Sequence, residues 1–270
     1  MSDIVLTAGV RANLLQLQKT AETITATQTK LATGKRVNSA LDNPINFFTA
    51  AGLSNRAGDL GNLLDSMATG VNTIQAANNG ITSLTKLVQS AQALASQALQ
   101  TSDPTTRASL ATQFDALRTQ IDQLAGDAGF NGTNLLNADT LTVKLNEGGT
   151  STATITGVTF NAAGLGIVAS TNSWVGAVDI NAANTNLTAA LTTLRSQAQA
   201  FGSNLSTVQI RQDFTKAMIN TLQTGSDALT LADSNEEGAN LLALQTRQQL
   251  STTALSLASQ ASQAVLRLFQ

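Results

Sequence analysis

The sequence predicts a mainly α protein: a bundle of long helices with a small central β-hairpin region, plus an antiparallel coiled coil formed by the N- and C-terminal helices. Three observations lead there. Both ends carry apolar residues at alternating three- and four-residue spacing, two cap-plus-proline signals open long apolar-periodic segments, and one short central stretch switches to a period of two.

At the N-terminal end the spacing runs Leu14, Leu17, Ala21, Ile24, polar Gln28 and Leu31, a heptad seam with one polar position. Thr33-Gly34-Lys35 stops it. Asp42-Asn43-Pro44 then reads as a helix start, an Asx cap followed by proline at the first helical position. The periodic segment it opens runs through Phe47, Leu53, Leu60, Leu63, Leu64, Met67, Val71, Ile74, Ile81, Leu84, Leu87, Val88 and Leu94 to Leu99. Gly52, Gly58, Gly61, Gly70 and Gly80 weaken it, by about 1 kcal/mol each relative to alanine. Asp103-Pro104 repeats the signal and launches Leu110, Phe114, Leu117, Ile121 and Leu124, stopped by Gly126 and Gly129.

In the middle, Leu141, Val143 and Leu145 alternate with polar residues, Glu147-Gly148-Gly149 turns, and Ala153 and Ile155 alternate again, which predicts a β-hairpin. Val158, Phe160, Ile167, Val168, Trp174 and Val178 follow as short strands and loops. A fourth long helix is expected from roughly Asn184 to Leu231. The C-terminal seam runs Ala254, Ala258, Ala261, Val265 and Leu268, with Leu250, Leu255, Leu257 and Leu266 widening it.

A narrow stripe cannot stabilise an isolated helix. Each terminal helix needs a partner, and the exit and return of the polypeptide make the two ends antiparallel neighbours. Alanine at several seam positions buries little area, so the pair is expected to be marginal until neighbouring subunits complete it.

Composition excludes much chemistry. Of 270 residues only 12% are charged, 15 basic and 17 acidic for a net charge of −2, and His, Cys and Tyr are absent. Imidazole acid–base catalysis, thiol nucleophiles, disulfides and ordinary zinc ligand sets are thereby unavailable. No metal, cofactor or catalytic residue is assigned. A nucleic-acid partner is not expected without a concentrated basic face. Neither is membrane insertion, for want of about 18 consecutive apolar residues. The first residues carry no basic and apolar leader of the secretory kind. Gly34-Lys35 is no phosphate loop, since Thr29 and Arg36 occupy the positions that need Gly and Ser or Thr. Gly164-Leu165-Gly166 is an isolated GxG. Asp233, Glu236 and Glu237 read as first-turn acids of the last helix, complementing its dipole.

Three segments carry a resemblance. Leu31-Ala32-Thr33-Gly34-Lys35-Arg36-Val37-Asn38-Ser39-Ala40-Leu41-Asp42-Asn43-Pro44 resembles the N-terminal motif of bacterial flagellins. Phe130-Asn131-Gly132 is similar to the family's turn after its third core helix. Asn240 to Leu250, with the ending Ala261 to Gln270, is similar to its C-terminal signature.

The resemblance implies a structural subunit, not an enzyme, that polymerises with copies of itself into the helical extracellular flagellar filament for motility. It implies type III export without a cleaved signal. A flagellar export chaperone, the filament cap and hook-junction proteins are the implied partners. Residues 1–40 plus 236–270 would form an inner-tube coiled coil, and residues 41–235 an outer-tube helical domain with a β insert at about 135–180 and no variable outer domain. The assembly seam would comprise Leu14, Leu17, Ala21, Ile24, Leu31, Ala254, Ala258, Ala261, Val265 and Leu268. Arg36, Asn38, Ser39 and Asp42 would form the turn motif, with Arg36, Asp42 and Arg56 pairing within or between subunits or remaining a solvated cluster. The alternatives are a hook–filament junction protein and a flagellin-like cell-surface binding protein.

Overall fold

The computed structural model describes the backbone of residues 8–268 and the side chains of all of these except 262 and 265–268. Val265 and Leu268 of the expected seam therefore lie outside the described side chains. Five helices make up most of the protein: α1 (Ala8–Thr33), α2 (Pro44–Gln100), α3 (Pro104–Asp127), α4 (Ala177–Thr230) and α5 (Ser234–Leu268). Between α3 and α4 lie the strands β1 (Thr140–Lys144) and β2 (Thr152–Thr156). Two compact units result, one of residues 1–56 with 221–270, the other of residues 57–220.

The unit of residues 57–220 owes its core to a heptad run on α2. Leu60, Leu63, Met67, Gly70, Ile74, Ala77, Ile81, Leu84, Val88, Ala91, Ala95 and Ala98 follow one another at alternating three and four residues, and all are buried. Apolar periodicity reveals the large members of this run. The alanines and Gly70 become recognisable as core only when the helix is built. Gly70 and Gly80 mark where other segments approach. A Cβ on Gly70 would meet Val143 of the hairpin at 2.6 Å, and one on Gly80 would lie 2.8 Å from the Cβ of Ala128 and 2.7 Å from Leu136. The helix runs through both because close contact repays the lost propensity.

Asp103 caps α3 as expected, accepting the Thr106 backbone N–H at 2.9 Å with Pro104 at the first helical position. The hairpin also forms in the anticipated place. Leu141 pairs with Ile155 and Val143 with Ala153, so the buried Val143 and Ile155 share one face.

Residues 157–176 are not short strands but a strap fastened along α3. Asp122 accepts the Ala162 N–H at 2.7 Å, Arg118 donates to the Ile167 carbonyl at 3.0 Å, and Asp115 accepts the Ser170 N–H and hydroxyl at 3.0 and 2.6 Å. Arg107 donates to the Val175 carbonyl at 2.8 Å. The strap ends in a left-handed turn, with φ of 50°, 49° and 58° at Asn172, Ser173 and Trp174. Such backbone is unfavourable by about 1–2 kcal/mol per residue. It is held by the fully buried Trp174, whose ring lies 4.9 Å from Phe114. Helix α4 starts at Ala177, earlier than its apolar pattern suggests, with Asp179 in its first turn.

The two glycine classes on α2 give a paired test. Gly80→Ala should lower stability by about 1–2 kcal/mol, because Ala128 offers no flexible end to move aside. Gly58→Ala, with nothing within 4 Å of the added methyl, should raise stability by up to about 1 kcal/mol. Thermal unfolding followed by circular dichroism compares them directly.

Candidate assembly surface

In the unit of residues 1–56 with 221–270, two backbone segments, residues 34–37 and 230–232, lie side by side. Gly34, at φ 69°, ends α1 in the left-handed conformation that glycine adopts without strain. The backbone N–H groups of Arg36 and Val37 then donate to the Thr230 carbonyl at 2.8 and 3.3 Å, and the Ala232 N–H donates back to Gly34 at 2.9 Å. Lys35 and Leu231 form an antiparallel bridge. The Arg36 guanidinium reaches the Ala228 carbonyl at 3.2 Å, satisfying a last-turn acceptor of α4 that the helix itself leaves open.

On the far side of the crossing, Asp233 caps α5 by accepting the Asn235 N–H at 2.9 Å. Glu237 does more than complement the dipole: its carboxylate pairs with Lys30 of α1 at 2.9 Å, with only 13% of its side chain exposed. The sequence signals the first role and not the second, since 207 residues separate the partners.

Three members of the turn motif converge. Asp42 Oδ2 accepts the backbone N–H groups of Asn38 and Ser39, each at 2.9 Å, and the Ser39 hydroxyl at 3.2 Å. Asn38 donates its amide to the Lys35 carbonyl at 2.9 Å. Arg36 and Asp42 each serve the backbone instead of pairing with one another. The N–H bonds from Asn38 and Ser39 hold the Asp42 carboxyl below its ordinary value of 3.8. Asn43 then caps α2 through the Asn46 N–H at 3.0 Å. A serine pair the sequence does not announce joins α2 to α4 here, Ser54 to Ser226 at 2.9 Å.

Helices α1 and α5 pack along one another. The covered stripe of α1 is Asn13, Leu17, Thr20, Ile24, Thr27 and Leu31, and that of α5 is Leu241, Leu244, Gln248, Ser251, Leu255 and Ala258. Both keep heptad spacing. Of the expected seam, Leu17, Ile24, Leu31 and Ala258 lie on these stripes, while Leu14, Ala21, Ala254 and Ala261 are exposed on adjoining faces. Thr20 and Thr27, at 2% and 4% exposure, are buried where the seam expects Ala21 and the polar Gln28.

Helix α5 thus carries a second stripe, Leu250, Ala254, Leu257 and Ala261, all exposed, with the two leucines at 67% and 64%. Leu15, Leu41, Ile45, Phe48 and Leu242 of the same unit are also largely exposed. The α5 residues form one uncovered apolar row, and an exposed apolar row of this kind marks an interaction site. Among the described residues no three His, Cys, Asp or Glu side chains group to hold a metal ion, and no helix is long and apolar enough to cross a membrane.

Comparison with known proteins gives two family matches. Residues 7–140 match the bacterial flagellin N-terminal helical region, and residues 184–269 match the bacterial flagellin C-terminal helical region. The segment between them holds the hairpin and the strap. Flagellin FljM of Caulobacter vibrioides is 33% identical over 278 residues, spanning 100% of this chain and 99% of that protein. Flagellin FljK of the same organism is 32% identical over 276 residues, with the same coverage. Among solved structures, Bacillus cereus flagellin aligns with 57% of this chain and 88% of its own at 21% identity and a TM-score of 0.48.

The Asp42 turn should be acid-labile. A carboxyl whose folded value is depressed contributes stability that is fully present above its unfolded value, near 3.8, and is lost as pH falls through the folded value. The protection of the Asn38 and Ser39 amides, measured as their exchange relative to the unstructured rate at the same pH, should therefore fall on acidification below that range. In Asp42→Asn that protection should be low already at neutral pH and change little with acid.

Proposed function

The chain belongs to the bacterial flagellin family, and on that premise we propose that it builds the flagellar filament through the two faces of its terminal helices. It is a structural subunit of the filament that serves motility, and its binding partner is a further copy of itself. The observation that carries the assembly reading is the uncovered heptad stripe of α5 beside a covered one: a helix with two such stripes is completed only by a second neighbour. Leu17, Ile24, Leu31 and Ala258 join α1 to α5 within a subunit. Leu14, Ala21, Ala254 and Ala261 meet adjacent subunits.

In this reading residues 1–40 plus 236–270 form the inner-tube coiled coil and residues 41–235 the outer-tube domain. The hairpin and strap stand where a variable outer domain would be inserted. Arg36, Asn38, Ser39 and Asp42 set the exit angle of the terminal pair. Export proceeds without a cleaved signal, and an export chaperone, the filament cap and the hook-junction proteins meet the terminal helices. The protein acts as scaffold and performs no catalysis. Full-length alignment with curated flagellins favours a filament subunit over a hook–filament junction protein.

Electron microscopy of the concentrated purified protein tests the reading: tubular filaments are expected, and persistent monomers would overturn it. Removing residues 240–270 should abolish polymerisation and leave the helices of the unit of residues 57–220 folded by circular dichroism. On the exposed stripe, Leu250→Ser with Leu257→Ser should change monomer stability by no more than about 0.5 kcal/mol per site, yet raise the critical concentration for polymerisation. Ile24→Ser on the covered stripe should instead loosen the α1–α5 pair itself. Equal polymerisation by the double serine variant and the unaltered protein would remove the second face from the account.

A further inference from the structure

The sequence contains two Asn-Gly pairs, Asn79-Gly80 and Asn131-Gly132, and the fold gives them opposite fates. We propose that Asn131 is a site of spontaneous covalent modification, converting through a succinimide to aspartate and isoaspartate, while Asn79 is protected.

The backbone nitrogen of Gly132, having lost its proton, attacks Cγ of Asn131. A new bond between that nitrogen and Cγ closes the five-membered ring, the bond from Cγ to Nδ2 breaks, and the amide nitrogen leaves as ammonia, carrying the proton. Water then opens the ring. Addition at the carbonyl derived from Cγ gives aspartate, and addition at the backbone carbonyl gives isoaspartate, with the backbone rerouted through Cγ. No oxidant or cofactor is required. A following glycine favours closure because it lacks a Cβ to obstruct the attacking nitrogen.

Ring closure needs three things of the structure: water access, an unengaged amide, and backbone able to leave its resting conformation. Asn131 and Gly132 are exposed, the two central residues of a tight turn with φ of 49° and 79°. Only two backbone bonds hold that turn, from Phe130 N–H to Thr133 at 2.9 Å and from Thr133 N–H to Phe130 at 3.0 Å. Neither the Asn131 amide nor the Gly132 N–H takes part in them. Asn131 also lines an open cleft of about 260 Å³ whose other walls include Ser66, Thr69 and Thr142, so solvent reaches it. Opening such a tip requires breaking local bonds only.

The second pair sits inside α2. Gly80 is buried against Ala128 and Leu136, and its N–H belongs to the helix ladder. Closing a ring at Asn79 would break the helix in the middle of its heptad core, at an opening free energy approaching that of global unfolding. Asn134, close to the turn, is locked for a different reason, since its amide donates to the Ala125 and Gly126 carbonyls at 2.8 and 2.9 Å. At Asn131 the product has consequences. An isoaspartate adds one backbone atom to a two-residue turn and so breaks the Phe130–Thr133 pairing, and either product places a negative charge beside a neutral, hydroxyl-lined cleft.

The test is incubation of the full-length purified protein at 37 °C and pH 8, with peptide mapping by mass spectrometry at intervals. The Asn131 peptide should gain the mass of an amide-to-acid exchange, split into aspartate and isoaspartate forms, and react at least about tenfold faster than the Asn79 peptide. The rate should fall at pH 6, because the attacking nitrogen must be deprotonated. Asn131→Gln, which would have to form a six-membered ring, should stay unchanged at that position. In denaturant the two sites should converge. An Asn131 peptide that stays intact in the folded protein while reacting in denaturant would overturn the proposal, as would equal rates at Asn131 and Asn79 in the folded state.

Discussion

The terminal helices depend on the antiparallel crossing where Arg36 and Val37 donate to Thr230 and Ala232 donates back to Gly34. A helix with a narrow apolar stripe has little stability alone, and this short bridge determines which stripe of α1 meets which stripe of α5. It fixes the two helices at one end, the Lys30–Glu237 ion pair holds the adjoining turn, and heptad spacing carries the match onward. The turn built on Asp42 delivers the backbone from that bridge into α2. If the bridge slipped by one residue, one stripe would turn by about 100° relative to the other and lose its match.

The low charge of the sequence takes on a positive meaning beside this geometry. Burying a charged or unpaired polar group at an interface is costly. Here hydroxyls are satisfied by their own helix: Thr20 donates to Gln16, Thr23 to Lys19, Thr25 to Ala21 and Thr29 to Thr25, all at 2.8 to 3.0 Å. Such a residue presents mainly its methyl group to a neighbour. Thr20 is already buried in this way within the subunit. A surface rich in threonine, serine and alanine can thus be covered by further copies with little desolvation penalty, which is what a polymer subunit requires on several faces at once.

Small residues set the other half of the design. On α2, four alanines and Gly70 occupy heptad positions that a bundle of larger proteins would give to leucine. They bring helices and hairpin close and sacrifice buried area. The strap along α3 recovers stability through Asp115, Arg118 and Asp122 and through Trp174 on Phe114. The left-handed turn at Asn172–Trp174 persists because the indole is anchored.

Local features are legible in the residues alone. Asp103-Pro104 and Asn43-Pro44 start helices because a cap and a fixed φ act within four residues, Gly34 ends one because it alone adopts positive φ freely, and the alternation from Leu141 to Ile155 makes a hairpin because the period of two is intrinsic to a strand. The Leu31–Pro44 and Asn240–Leu250 segments likewise reveal the family. What depends on meeting a distant partner is settled only in the folded molecule. Periodicity shows that α1 has a seam but not which of two adjacent stripes is covered. The fold covers Leu17 and Ile24 of that spacing, while Thr20 and Thr27 take the places beside them that it gives to Ala21 and Gln28. The same limit separates Glu237 as a first-turn acid, readable from its position, from Glu237 as the partner of Lys30. Local propensity acts over one helical turn, whereas burial is settled by whichever surface the fold brings alongside.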